Sequence, residues 1–446
     1  MSNYNALLYV PSDTPEAMVM STIKVAGVPL IVRGIMNLYN AGFRNVTLLI
    51  ASTQQRKISR ALERYRKERL PQVNYIYYDE SYSVNPDIVQ KLTDALGDQP
   101  ILINANLLFD KETITPIKEK SINNNEIIRC QEGAHHVPIV KVSIQNFSKL
   151  KEFTAARPRS IASCLNFLKE HSVLTTVIQK PEHANTFLVR RPRERLVAEK
   201  FLAEAIRLAT NGPVAKYLNK RISLPISLVM SRLWISPHAI TAVNIVIGLL
   251  SGVFMAGKDY YSLLIGAILF QTASVADGVD GEVSKLTFRC SKFGQFIDTI
   301  SDNLALASCL IGLTIGTSRI YSPLTTYVLG ILAIFNAAFC IFLMAGYLKK
   351  NTNSASLATF NKNFLNHLSS TTNPSLVWFI NHFKYFIMKD GFAFLIFVFG
   401  LSGFLPAFLF LITFGTCLAA GILFYLLVLQ PKSNVQAKAN LVSDKP

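Results

Sequence analysis

The feature that most constrains this chain is a change of composition near residue 236. Before it, charged and polar residues alternate with short apolar runs. After it, apolar stretches of about 17 to 25 residues recur, which is the length a helix needs to cross the roughly 30 Å of hydrocarbon in a bilayer. The sequence therefore predicts a soluble domain followed by an all-α membrane domain.

Six membrane spans are predicted in the second half of the chain. They cover residues 238–256, 260–280, 292–316, 322–347, 390–405 and 407–429. Pro406 leaves almost no turn between the last two. The expected organisation is an α/β domain at 1–185, a basic linker with an amphipathic juxtamembrane helix at 186–236, the six-span domain at 237–430 and a cytoplasmic tail at 431–446.

Loop charges predict the orientation of this membrane domain. The 45 Lys and Arg residues outnumber 28 Asp and Glu, giving a net charge of +17. The loops that share a side with the soluble domain are rich in lysine, whereas the opposite loops carry Lys258 and Arg319. By the positive-inside rule we expect both termini and the soluble domain in the cytoplasm. Topology then explains most of the charge excess, so we expect a lipid bilayer as partner and no nucleic acid.

Residues 1–185 alternate between strand-like and helix-like segments. Short runs rich in Val, Ile and Tyr read NALLYV, NVTLLIA, VNYIYY, PILINA and VPIVKV, and segments with helical spacing lie between the first three. Such alternation predicts a layered α/β fold with a mainly parallel sheet. Next comes a basic cluster, and the amphipathic run Leu196–Ala209 fits either a helix at the membrane surface or a solvated linker helix.

Four carboxylates lie at the edge of the predicted membrane spans. Asp277 and Asp280 are three residues apart at the end of the second span, and Asp298 and Asp302 are four apart early in the third. Each pair shares one helix face, and the short connection makes the two helices antiparallel neighbours, so the acids can converge. Acids in a span cost a few kcal/mol each. Divalent cations would remove their mutual repulsion, and oxygen ligands favour Mg²⁺ or Mn²⁺.

Glycines and cations surround these acids. Gly278, Gly281 and Gly294 interrupt the helical segments, which indicates close approach by a neighbouring helix or a ligand. Lys285, Arg289 and Lys292 fill the connection, so phosphates could be held between these cations and a metal. This arrangement fits phosphoryl transfer, in which catalysis is mainly alignment and charge stabilisation.

These residues resemble the signature of the CDP-alcohol phosphotransferase family, D-x-x-D-G-x-x-A-R-(x)n-G-x-x-x-D-x-x-x-D. Here it reads as Asp277, Asp280, Gly281, Ser284, Lys285, Gly294, Asp298 and Asp302. The family alanine is replaced by Ser284 and its arginine by Lys285. Lysine keeps the charge but offers a point charge in place of a bidentate fork, so we expect altered nucleotide contacts.

The resemblance implies a six-helix membrane enzyme that transfers a phosphoalcohol group from a CDP-alcohol to an acceptor hydroxyl, lipid or soluble, and releases CMP. It implies Mg²⁺ or Mn²⁺, with two ions expected, and it allows a homodimer. Its metal ligands would be Asp277, Asp280 and Asp298, with Asp302 as a further ligand or the catalytic base.

The same resemblance makes Gly281, Ser284, Lys285 and Gly294 the nucleotide cradle. In the first span, Thr241 and Asn244 share a face and could meet the nucleotide, although they could equally bridge helices. Arg289 and Lys292 would supply electrostatics for a phosphate or the acceptor.

The early α/β segment resembles sugar-phosphate nucleotidyltransferases through Lys24, Gly27, Pro29 and Leu30. Active relatives need a glycine-rich loop where this chain has PSDTPEAMVM, and an aspartate where it has Asn104, Ala105 and Asn106, with Asp110 farther on. We therefore expect a degenerate, inactive domain. The alternative is a working cytidylyltransferase that makes the CDP-alcohol, because the layout resembles fused inositol-phosphate cytidylyltransferase and di-inositol phosphate phosphate synthases.

Two other functions remain open. A cation or proton transporter could use the four acids for ion binding or relay, but it would spread acids across the membrane depth, and these cluster near one end. A non-catalytic membrane scaffold would not require all four acids.

Overall fold

The computed structural model describes residues 5–11, 20–65, 70–78, 83–123, 126–132, 135–172, 174–181, 184–351 and 389–424. Its contacts divide the chain into two compact units. The α/β unit comprises Met1–Ala209 together with Leu228–Ile235 and Val283–Arg289, and the helical unit comprises Thr210–Ser227, Ser236–Glu282 and Cys290–Pro446. The predicted tail at 431–446 and most of the loop PSDTPEAMVM lie outside the described residues.

Extended segments of the α/β unit form one large sheet and two small ones. The strands are β1 Asn5–Tyr9, β2 Lys24–Val25, β3 Val28–Pro29, β4 Asn45–Ile50, β5 Gln72–Tyr77, β6 Ile101–Asn104, β7 Leu107–Phe109, β8 Glu126–Glu132, β9 His135–Val142, β10 Leu174–Gln179 and β11 Thr186–Leu188. The seven-stranded sheet has the order β10-β8-β9-β6-β1-β4-β5. The pairs β2/β3 and β7/β11 form the two small antiparallel sheets.

The predicted mainly parallel α/β fold is confirmed. Strand β1 runs parallel to β4 and β6, β4 to β5, and β8 to β10. Strand β9, which covers the predicted VPIVKV segment, is antiparallel to β6 and β8. The physical reason is the short connection from Glu132 to His135, because only antiparallel strands can be joined by a tight hairpin.

Helices of this unit cover both faces of the large sheet, except the last of them, which packs through Ala198 in a smaller core with Val25 and Leu30. They are α1 Leu30–Asn40, α2 Gln55–Leu62, α3 Pro86–Ala95, α4 Lys111–Glu119, α5 Ile144–Ser148, α6 Leu150–Ala155, α7 Ile161–Glu170 and α8 Arg195–Leu208. Alternate residues of β1 point to opposite faces, so Leu8 packs in the core with α1 and Leu7 packs in the core with α3 and α7. The predicted amphipathic run is helical as α8.

The helical unit contains long apolar helices. After a π-helical turn at Ala215–Asn219 come α9 Lys220–Arg232, α10 Pro237–Met255, α11 Tyr260–Leu286, α12 Lys292–Ser318, α13 Pro323–Asn351, α14 Lys389–Ser402 and α15 Leu405–Phe424. Within the described residues, five helices are long and apolar enough to cross a membrane: α10, α11, α12, α13 to Met344, and α15. The predicted fifth span corresponds to α14, whose 14 described residues are too short for that criterion, so six spans remain a prediction.

Two helix ends belong to the α/β unit. Helix α9 ends before Trp234 and α11 before Phe288, and both aromatic residues adopt positive φ angles, 59° and 56°. In each case the following amide reaches back to form a six-residue cap, Ile235 N–H to Met230 O at 3.0 Å and Arg289 N–H to Ser284 O at 2.8 Å. This left-handed cap satisfies carbonyls that a helix end leaves without partners, and it turns the chain sharply.

Candidate active site

Small residues bring α10 and α12 into close contact in the helical unit. A Cβ added at Gly252 would lie 2.2 Å from the Ser308 carbonyl oxygen, and one at Gly312 would lie 2.0 Å from the Gly252 carbonyl oxygen. Backbone approach of this kind is the usual way helices associate inside a bilayer. It fixes the face of α10 that carries Thr241 and Asn244 relative to the face of α12 that carries the acids.

Three of the four predicted carboxylates converge. Asp277 and Asp280 of α11 and Asp298 of α12 each offer an oxygen atom, and these atoms all lie within 4.8 Å of one another. Asp280 is buried, and the other two are partly buried. Because negative charges so close together repel strongly in a site shielded from water, this geometry has the form of a cation site.

Helix α10 carries two buried polar groups on one face, and one of them contacts this cluster. The Thr241 hydroxyl donates a hydrogen bond to Asp280 Oδ2 at 2.5 Å. Asn244 lies one turn further along α10 and is 2% exposed. Among the described residues its Oδ1 atom has no hydrogen-bond partner. A buried acceptor without a partner, on the same face of α10 as Thr241, is a group that a cation or a ligand donor would satisfy.

The fourth carboxylate has a different partner. Asp302 of α12 forms an ion pair with Lys389, the first residue of α14. The same ammonium lies 3.0 Å from Asp277 Oδ1. In the sequence Lys389 is one of several lysines in a loop. Its contact with the acids could not be predicted, because no spacing rule connects it to the acid motif.

The remaining predicted residues fall into two groups. In the helical unit, an added Cβ at Gly281 would meet no atom within 4 Å, whereas one at Gly294 would lie 3.2 Å from the His238 ring. The Gly294 amide donates to Ser291 Oγ at 2.9 Å, which caps the start of α12. Lys292 is exposed. The helix surface at Gly281 is therefore open. At Gly294 the close approach of the His238 ring by itself favours a glycine.

The second group, residues 283–289, belongs to the α/β unit. Ser284 is half-buried and Lys285 is exposed. Arg289 donates to the Ile235 carbonyl at 3.1 Å and lies 5.0 Å from the centre of the Trp234 ring. Its guanidinium thus has partners within the α/β unit, at the end of α9.

A buried carboxylate that the sequence analysis passed over sits inside the motif. Glu282 is 1% exposed. It accepts hydrogen bonds from Lys220 at 2.6 Å, Ser223 at 2.6 Å and Ser227 at 2.6 Å, all on α9. The i, i+3/i+4, i+7 spacing of these three residues on one helix face was the available signal. This network fixes α9 against the helix that carries Asp277 and Asp280.

The turn between β2 and β3, Lys24–Pro29, is where the sequence resembles a nucleotidyltransferase. Gly27 has φ +79°, and a Cβ added there would lie 2.2 Å from the Ser231 carbonyl oxygen. The Ala26 amide donates to buried Glu199 at 2.9 Å. Glu199 also pairs with Arg232. Burial would raise the pKa of Glu199, but hydrogen bonds from Arg232 and Ala26 and the Arg232 charge bring that pKa below its usual value.

Arg33 completes the contacts of this turn. Its guanidinium donates to the Val25 carbonyl at 2.7 Å and to the Leu286 carbonyl at 2.7 Å, and it lies 5.5 Å from the centre of the Phe288 ring. Burial lowers the pKa of Arg33 to about 10. A cation at the last carbonyls of a helix is favourable for hydrogen bonding and for the helix dipole. The turn is therefore filled by residues of its own chain.

Asp110 also has a structural role. It precedes α4 and caps it by accepting from the Thr113 amide at 3.0 Å. Its other oxygen accepts from the Asn185 amide at 2.7 Å. Both oxygens are thus occupied within the α/β unit.

Part of the helical region matches a known protein family. Residues 234–362 match the CDP-alcohol phosphatidyltransferase family, and this range contains the three converging acids, Thr241 and Asn244. Residues 234–362 form a CDP-alcohol phosphatidyltransferase domain. The helical region is accordingly that of a membrane CDP-alcohol phosphotransferase.

The chain is also similar to curated proteins over longer stretches than the family match. A "Bifunctional IPC transferase and DIPP synthase" of Aquifex aeolicus is 25% identical over 319 residues, which cover 67% of this chain and 72% of that protein. The Thermococcus kodakarensis protein of the same name is 30% identical over 152 residues, covering 32% of this chain and 34% of that protein.

The α/β unit has a solved structural neighbour. The inositol-1-phosphate CTP transferase of T. maritima aligns with a TM-score of 0.37 and 8% identity, covering 46% of this chain and 97% of that one. The parallel sheet described above, rather than this alignment, establishes the α/β fold.

Proposed function

We propose that the acids of α11 and α12 form the active site of this phosphotransferase, which moves a phosphoalcohol group from a CDP-alcohol to an acceptor hydroxyl and releases CMP. The observation that carries the proposal is the convergence of Asp277, Asp280 and Asp298 within 4.8 Å inside the matched family domain. A transporter would need acids at several depths of the membrane, whereas these three acids lie in one cluster.

The donor set fits a hard divalent cation. Three carboxylates supply oxygen ligands from two helices, and Asn244 Oδ1 is a further oxygen that has no partner among the described residues. Oxygen ligands without cysteine or histidine favour Mg²⁺ or Mn²⁺. Asp277, Asp280 and Asp298 would hold the metal, with two ions proposed. When bound, the metal would neutralise charge on the diphosphate as a Lewis acid.

The protein residues have separate tasks in this proposal. Thr241 holds the Asp280 carboxylate through its hydrogen bond. The open surface at Gly281 lets a ligand approach the helix backbone. Gly294 and Asn244 are proposed to contact the nucleotide, and exposed Lys292 attracts phosphate. The proposed nucleotide contacts of Ser284 and Lys285 rest on the motif spacing alone. Arg289 is assigned a weaker electrostatic part, because its guanidinium is already bound at the end of α9.

Asp302 is the proposed base. It accepts the proton of the acceptor hydroxyl as that oxygen forms a bond to the phosphorus nearer the alcohol. The bond from this phosphorus to the bridging oxygen then breaks, and the electron pair leaves with CMP. The ion pair with Lys389 holds the Asp302 carboxylate in place beside the cluster.

The donor is proposed to be an inositol-phosphate-type or a phosphatidyl-type CDP-alcohol. The overall layout, an α/β unit before a phosphotransferase domain, resembles enzymes of inositol phosphate chemistry and favours testing the inositol-phosphate type first. We place both termini and the site in the cytoplasm on the loop charges. A homodimer is proposed on the family resemblance alone.

We further propose that the α/β domain has lost nucleotidyl transfer. The Lys24–Pro29 turn is packed against Ser231, Glu199 and Arg33, and both oxygens of Asp110 are occupied. The names of the bifunctional relatives favour the second candidate, a domain that also makes the CDP-alcohol. Incubation with CTP, Mg²⁺ and inositol phosphate decides between them. If no pyrophosphate is released, the loss of nucleotidyl transfer is supported. If pyrophosphate is released equally by wild type and Asp110→Asn, the domain makes the CDP-alcohol and uses residues other than Asp110.

The main test uses the purified full-length protein in detergent with labelled CDP-alcohols, Mn²⁺ or Mg²⁺ and candidate acceptors, and it measures CMP. We expect CMP with at least one donor and a large loss in Asp302→Asn. If no donor gives CMP, and wild type and Asp302→Asn behave alike, the proposed phosphotransferase site is wrong. Cation flux in proteoliposomes without any CDP-alcohol would favour the transporter.

A further inference from the structure

A positively charged side chain occupies the acidic site itself. Lys389 Nζ lies 3.0 Å from Asp277 Oδ1 and pairs with Asp302. These three residues come from three helices, α14, α11 and α12. Lys389 therefore forms ion pairs with one acid of the converging trio and with the proposed base at the same time.

The position of Lys389 is fixed by its neighbour in the sequence. Asp390 accepts hydrogen bonds from Asn219 at 2.7 Å and from Ser274 at 3.0 Å. Asn219 and Ser274 are both buried, at 3% and 2% exposure. Ser274 lies one turn before Asp277 on α11, so the first turn of α14 is attached next to the acids. Lys389 is thus held in place by a buried network, unlike a surface lysine.

The charge of Lys389 opposes the charge of a metal. An ammonium on Asp277 satisfies part of the need for a counter-charge, and it repels any further cation at the same carboxylate. A divalent ion using Asp277 must displace this contact or bind beside it. Either event costs affinity for the metal, and the second contact, with Asp302, keeps the ammonium nearby.

We propose that Lys389 is a positioning residue that acts as a built-in counter-cation and sets the affinity of the acid cluster for divalent metal. This inference rests on the proposed function only in taking Asp277, Asp280 and Asp298 as metal ligands. Lys389 lowers metal affinity and holds Asp302 beside the site. Removing its charge strengthens metal binding, and keeping the charge in another side chain preserves the wild-type affinity.

The test is a titration of the purified, substrate-free, full-length protein with Mn²⁺, following free Mn²⁺ by electron paramagnetic resonance. We expect Lys389→Met to bind Mn²⁺ about tenfold or more tightly than wild type. Lys389→Arg should stay within about threefold of wild type, because the guanidinium retains the charge. Lys258→Met, which removes a lysine at the opposite end of α11, is the matched control and should leave affinity unchanged.

Unchanged or weaker Mn²⁺ binding in Lys389→Met overturns the inference, as does an equal gain in Lys389→Arg. Thermal unfolding of each variant with excess Mn²⁺ shows that the comparison concerns folded protein, and Lys389→Arg still tests the charge if Lys389→Met does not fold. The result is independent of turnover. Tighter binding without CMP release from any donor contradicts the proposed function alone, and CMP release with unchanged affinity contradicts this inference alone.

Discussion

Two polar sites in this chain resemble nucleotide-handling sites, and they differ in how far the protein satisfies its own groups. At the Lys24–Pro29 turn, the Ala26 amide, Glu199 and Arg33 bond to one another or to backbone carbonyls of the same unit. At the acid cluster, three carboxylates face one another, and among the described residues an ammonium, that of Lys389, forms an ion pair with one of them, Asp277. A site completed by its own chain stabilises the fold, whereas a site left with excess charge is suited to a ligand.

The largest expected effect, and the strongest test of this comparison, is the loss of activity on substitution of Asp298. We expect Asp298→Asn to lower the rate of CMP release about 1000-fold, because the variant removes one of three converging charges that act on the reacting phosphates. The measurement is CMP release at saturating metal and donor, with thermal unfolding as a check on folding. Asp259→Asn, the same change at an exposed cap before α11, should retain full activity. Equal losses in both variants would contradict a special role for the cluster.

The second prediction tests the turn. Glu199→Ala leaves Arg232 and the Ala26 amide without their buried partner, so the free energy of unfolding of the α/β unit should fall by about 3 kcal/mol. Denaturant unfolding of the protein in detergent measures it. The control is Glu204→Ala on the same helix, whose ion pair with Arg207 is half exposed and should contribute less than about 0.5 kcal/mol. Similar values for the two variants would show that the turn is not held as described.

A third prediction sharpens the description of the acid cluster. Thr241→Val removes the hydrogen bond to Asp280 and should lower the rate of CMP release or the Mn²⁺ affinity about tenfold, as expected for a residue that orients a metal ligand. Thr314→Val is the matched control, because that buried hydroxyl bonds to the Leu310 carbonyl of its own helix. If the Thr241 variant is as active as the Thr314 variant and binds Mn²⁺ equally well, Thr241 does not orient a metal ligand.

The smallest expected effect is a pH dependence at the turn. The pKa of Glu199 is lowered in the folded protein from its usual 4.5. The unfolded chain therefore binds more protons in this range, and the stabilisation by Glu199 is present above pH 4.5 and lost as pH falls through the lower, folded value. Unfolding free energies measured from pH 6 downward should decrease more in wild type than in Glu199→Gln. Parallel curves would contradict the assigned ion pair.

Much of the fold followed from local patterns. Short Val and Ile runs predicted β1, β4, β5, β6 and β9, and apolar length predicted the five helices that can cross a membrane. The antiparallel direction of β9 did not follow, because it depends on the hairpin that joins it to β8. The predicted fifth span remained uncertain because α14 is short in the described residues.

At the site, spacing within one helix was informative and contacts between distant segments were not. Residues three or four apart had to share a helix face, so the convergence of Asp277, Asp280 and Asp298 could be predicted. Lys389 could not, because its contacts depend on where α14 begins and on the bonds of Asp390 to Asn219 and Ser274. The close packing of the Ser231 carbonyl against Gly27 could not be predicted from the sequence either.

The sequence by itself determined that the chain has an α/β part and a membrane part, and that acids lie together near the end of two spans. Periodicity and length act along the chain, so they can be read without coordinates. Only the tertiary structure decided which of these acids share a site, that Lys389 neutralises part of it, and that the nucleotidyltransferase-like turn is occupied. Those outcomes depend on long-range packing, in which residues far apart in sequence compete for the same polar partners.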